Sequence, residues 1–149
     1  MSALPEPLEQ YDARLVRLMN RHGIRLLRVA LAVTYIWFGA LKLAGKSPVA
    51  DLVGKMAFGV PKETFVWLLG LWEAAIGVAL LFRVALRLTL VLFGLQVAGT
   101  FLVLIAHPRY AFRDNNPLLL TLTGEFIVKN LVLLAAGLAI GGTLRRRHD

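Results

Sequence analysis

Residues 64–106 read TFVWLLGLWEAAIGVALLF, then a single Arg83, then VALRLTLVLFGLQVAGTFLVLIA, and this stretch decides the architecture. The runs 64–82 and 84–106 are each near the ~20 residues that a helix needs to cross a ~30 Å hydrocarbon layer. A connection as short as Arg83, with Arg87 just beyond it, makes the two helices antiparallel neighbours. Two more apolar runs flank them, 26–43 (LLRVALAVTYIWFGALKL) and 118–140. The pattern predicts an all-α integral membrane protein whose domain, 26–141, is an antiparallel four-helix transmembrane bundle. Arg28 and Lys42 lie near the ends of the first run, where long basic side chains snorkel to the interface.

Composition points the same way. The 149-residue chain is 58% hydrophobic and 17% charged, against about 45–50% and ~25% in soluble domains. A soluble chain this small has too much surface to hide that much apolar material. The absence of cysteine excludes a disulfide scaffold, thiol redox chemistry and cysteine-ligated metal centres. His22, His107 and His148 lie apart, so no metal or haem motif forms. The net charge of +8 comes from Lys and Arg placed beside the apolar runs, which speaks for lipid headgroups and topology rather than nucleic acid.

Outside the spans, residues 1–25 read as an interfacial segment. Leu8, Tyr11, Leu15, Leu18, Met19 and His22 recur at helical spacing, with Arg14, Arg17 and Arg21 largely opposite, as in an amphipathic helix lying on an anionic leaflet. A second interfacial helix is expected over 48–58, between Ser47 and the Gly59-Val60-Pro61 stop. Residues 142–149 form a basic tail, and no cleavable leader is read at the start of the chain. With four spans both termini share a side. Ten Lys and Arg on that side against six on the other predict that both termini are cytoplasmic.

The spans carry polar groups that cost about 2.5–3.5 kcal/mol each if charged and left at mid-bilayer. They are Tyr35 and Lys42 in the first, Glu73 in the second, Gln96 in the third, and Glu125, Lys129 and Asn130 in the fourth. Counted along the helices, Glu73, Gln96 and Lys129 fall at similar depths, and each helix gathers its polar or small residues on one stripe. One shared interior is therefore expected. Within it Glu73, Glu125 and Lys129 are the candidate catalytic groups, and Tyr35, Trp37, Lys42, Trp72, Gln96 and Asn130 the candidate ligand contacts. A carboxyl desolvated there exchanges protons, a Lys or Gln donor holds a carbonyl oxygen, and aromatic walls suit a flat quinone headgroup. The bland alternative is that these groups only lock helices together, with Glu125 and Lys129 satisfying each other at i, i+4.

These residues also carry a resemblance. Trp37-Phe38-Gly39-Ala40-Leu41-Lys42-Leu43 resembles the first-helix aromatic–Gly–x–x–Lys signature of the DoxX-like superfamily of small four-span bacterial and archaeal membrane proteins. Gly70-Leu71-Trp72-Glu73 with Gly77 looks like its second-helix pattern, and 124–136 is similar to the last helix of a stress-associated branch. That branch usually has a basic residue and an Asp where this chain has Glu125 and Asn130. The resemblance implies a four-span fold in a bacterial or archaeal cytoplasmic membrane. It also implies a quinone-linked redox subunit or redox-stress factor acting with a soluble redox partner. Two other readings stand beside it: a small proton-linked transporter or channel, which four spans would build as a homo-oligomer, and a non-catalytic anchor or assembly factor.

Overall fold

A computed structural model of the chain describes residues 6–54, 59–114 and 116–144. Among these residues six helices follow in order: α1 (Glu6–Leu43), α2 (Ala50–Gly54), α3 (Lys62–Phe82), α4 (Leu86–Ala106), α5 (Pro108–Ala111) and α6 (Leu122–Gly142). Among the described residues there is no strand, only an isolated antiparallel bridge between Phe112 and Leu120. Among the described residues three helices are long and apolar enough to cross a membrane: 10–43 within α1, α3 and α6. The regular structure among the described residues is thus all helical, with helices of the length and apolarity that suit a membrane protein.

Several expected boundaries move. The amphipathic segment and the first span are one helix, α1. No proline interrupts residues 8–47, and Gly23, whose Cβ position is open space, only weakens a helix built from Leu and Arg. α3 begins at Lys62, behind Pro61. α4 begins at Leu86 because Arg83 and Ala85 take left-handed conformations, φ 60° and 42°, and make the turn. α6 begins at Leu122 rather than at 118. Residues 117–120 turn back toward Phe112, and Thr121 caps the helix by accepting from the Gly124 N–H at 3.1 Å. The interfacial helix expected over 48–58 is seen as the five-residue α2. Residues 55–58 and the tail residues 145–149 lie outside the described residues. The short α5 was not foreseen.

α1 packs most extensively on α3. α3 also meets α4, α4 meets α6, and α6 returns to α1. The core joins Leu31, Ala32 and Tyr35 of α1 to Ile76 and Leu80 of α3, Phe93 and Val97 of α4, and Ile140 of α6. Small residues let α1 and α3 approach backbone to backbone. A Cβ on Gly39 would lie 2.6 Å from both the Ala74 N and the Gly70 O, and one on Gly70 would lie 2.7 Å from the Lys42 Cβ. The register runs in opposite senses along the two helices. Arg28 meets Leu80 and Leu81, Ile36 meets Gly77, Gly39 meets Ala74, and Lys42 meets Gly70 and Glu73.

Candidate functional site

The close approach of α1 and α3 brings a Lys and a Glu face to face. Glu73 is 11 residues into α3, about 16 Å along its axis, and so sits at mid-helix. Lys42, in the last turn of α1, donates from Nζ to Glu73 Oε2 at 2.6 Å. Both residues are only 6% exposed. Glycine at 39 and 70 is what allows this, since any larger residue would hold the helices apart and stretch the pair.

The other carboxylate oxygen belongs to α4. Gln96, at the middle of that helix, donates from Nε2 to Glu73 Oε1 at 2.8 Å. Its Oε1 in turn accepts from the Tyr35 hydroxyl at 2.6 Å. Tyr35 is 4% exposed, and its ring packs on Phe93 with centroids 5.3 Å apart. The result is one chain of hydrogen bonds, Tyr35 to Gln96 to Glu73, closed at the far side by Lys42, and it ties three helices. No buried side-chain nitrogen or oxygen among the described residues lacks a partner. Chemically the set is a fixed ion pair with an amide between the phenol and the carboxylate. A neutral amide donates one proton and accepts another without passing either on, so the chain orders groups but does not relay a proton from Tyr35 to Glu73.

Of the nine residues expected to share an interior, Tyr35, Lys42, Glu73 and Gln96 do. Glu125 and Lys129 do not: both are exposed on the outer face of α6. The physical reason is where α6 starts. Glu125 falls in its first turn, where a carboxylate suits the helix dipole. Lys129 is only seven residues from Leu122, about 10 Å along the axis, within snorkelling reach of the end. Its ammonium lies over the Phe126 ring, 5.2 Å from the centroid, rather than on Glu125. Trp37 and Trp72 are 66% and 41% exposed and join none of the network's hydrogen bonds. Asn130 is half-buried on α6 and joins none of these bonds. A surface groove at α5, lined by Ala106–Tyr110, includes none of the nine.

Arg28 makes a structural contact that its sequence position near a span end does not predict. Its guanidinium donates to the Leu80 and Leu81 carbonyls at 2.6 and 2.9 Å, capping α3 from the neighbouring helix. The signal available in sequence was a basic residue placed on α1 opposite the end of the next apolar run. No family model, curated protein or solved structure matches this chain, so its own residues carry the functional reading.

Proposed function

We propose that the chain is a four-span antiparallel bundle of a bacterial or archaeal cytoplasmic membrane, with both termini cytoplasmic. In this reading it works as a non-catalytic membrane subunit, an anchor or assembly factor for a partner protein. The observation that carries it is the closure of the polar chain. Tyr35, Gln96, Glu73 and Lys42 each find a hydrogen-bond partner within the set, while Trp37, Trp72, Glu125 and Lys129 are exposed. A ligand site of the kind first expected needs convergent polar groups left open toward a cavity. The opposed register of α1 and α3 and the 21-residue length of α4 favour the four-span arrangement. The DoxX-like likeness fits too, because its two motifs meet: Gly39 lies on Gly70 and Lys42 pairs with Glu73.

One observation favours a second reading, a quinone-linked redox subunit. An ion pair at mid-helix is an expensive way to hold two helices, and ionisable groups at that depth are more often functional. Purified protein titrated with a short-chain quinone separates the two, read by tryptophan fluorescence. The anchor reading expects no saturable quenching, and native mass spectrometry after gentle solubilisation should find a second protein chain without quinone. Saturable quenching that is lost in Glu73→Gln would overturn it in favour of the redox subunit.

A further inference from the structure

The C-terminal end of α3 collects positive charge from three helices' worth of arginines. The last turn of α3 offers carbonyls, and three of them are taken. Ala79 O accepts from the Arg83 and Val84 N–H groups, the latter at 2.9 Å, and Leu80 O and Leu81 O accept from Arg28. The turn that follows is closed as well, because the Thr89 hydroxyl donates to Val84 O at 2.9 Å and Ala85 O at 3.2 Å. Around this capped end stand Arg25, one turn before Arg28 on α1, Arg83 at the left-handed cap, and Arg87 in the first turn of α4. Arg25 and Arg83 are both close enough to act on Arg28 as like charges.

Among the described residues no carboxylate pairs with any of the four, and of the two ion pairs seen Lys42–Glu73 sits at the middle of α3 and Lys62–Asp51 at its start. The end of a helix supplies only about half a negative charge, and the start of α4 adds about half a positive one. This is also where both helices leave their apolar stretches, at the level of lipid headgroups. Basic pockets between helices at that level suit anionic headgroups.

We propose that Arg25, Arg83 and Arg87, with Arg28 holding the end of α3, form a binding site for the phosphate of an anionic phospholipid. The guanidinium fork matches phosphate oxygens two at a time, and the rigid turn fixes where Arg83 stands relative to α1. The site rests on the membrane reading above and not on the anchor role.

The full chain, stripped of lipid in a neutral detergent, is titrated with phosphatidylglycerol, with phosphatidylcholine and with glycerol phosphate, and thermal unfolding is followed. Phosphatidylglycerol should raise the unfolding midpoint, and the other two should not at equal concentration. Arg28 is left intact, since replacing it would also uncap α3. The double variant Arg25→Gln/Arg83→Gln should bind phosphatidylglycerol about 25-fold more weakly, about fivefold for each arginine near the surface. Arg14→Gln/Arg17→Gln, which removes equal charge farther along α1, should keep the wild-type affinity. Unchanged affinity in the first pair, or an equal loss in the second, overturns the site. An equal response to glycerol phosphate overturns a lipid as its occupant. Extraction of the chain from membranes by alkaline carbonate would overturn the membrane reading itself, a separate failure.

Discussion

A buried lysine beside a buried glutamate is stable only as a pair. Lys42 and Glu73 contact each other at 2.6 Å with almost no solvent, so removing one leaves a charge that nothing else neutralises. Glu73→Leu alone should lower stability by about 3–5 kcal/mol. The double change Lys42→Met/Glu73→Leu should recover most of that loss, because two well-packed apolar side chains need no partner. Unfolding in detergent across the four members of this cycle reads the coupling. Losses that simply add would show that the pair is not a unit. Tyr35, Lys42, Glu73 and Gln96 were legible in sequence because a polar side chain in a long apolar run has to face inward. The same rule misplaced Glu125 and Lys129. It assumed that 118 opens the last span, and turn chemistry around 117–121 starts that helix a turn later, near enough to its end for both to stay outside.

Between elements, the seam of α1 and α3 depends on atoms that are missing. A Cβ on Gly39 would collide with the backbone of Ala74 and Gly70, which cannot move aside as a side-chain tip can. Gly39→Ala should therefore push α1 from α3, costing about 1–3 kcal/mol or more, and should lengthen the Lys42–Glu73 contact. Gly99 on α4 has open space where its Cβ would stand, so Gly99→Ala should be neutral or stabilise by about 0.5–1 kcal/mol. Unfolding midpoints of the two variants check the contrast, and equal effects would refute a backbone-close seam. The four apolar runs were readable from length and composition, yet the seam was not. Sequence marks where small residues recur, and only the register decides that Gly39 meets Gly70 while Gly94 and Gly99 meet nothing. The break expected between the amphipathic segment and the first span failed for a local reason, since no residue there stops a helix.

At the scale of the molecule, α1 reaches well past the helix it packs against. Arg28 is level with Leu80 and Leu81, so the 22 residues of α1 before it run about 33 Å of helix past the end of α3. Tyr11, Leu15, Leu18 and Met19 on that extension are exposed, while Arg14, Arg17, Arg21, Arg25 and Arg28 follow one another at three- and four-residue steps. A row of arginines leading into the spans is a strong retention signal for the cytoplasmic side. Orientation and span number can then be read together, because the chain has no cysteine and accepts single ones as reporters. Asn20→Cys lies on the extension, Asn116→Cys between α5 and α6, and Gly142→Cys at the end of α6. An impermeant thiol reagent added to intact cells should label Asn116→Cys alone, and the other two should label only after lysis. Labelling of Asn20→Cys from outside would reverse the orientation. Labelling of Gly142→Cys without Asn20→Cys would mean an odd number of crossings, which leaves α4 no place across the bilayer and ends the four-span arrangement.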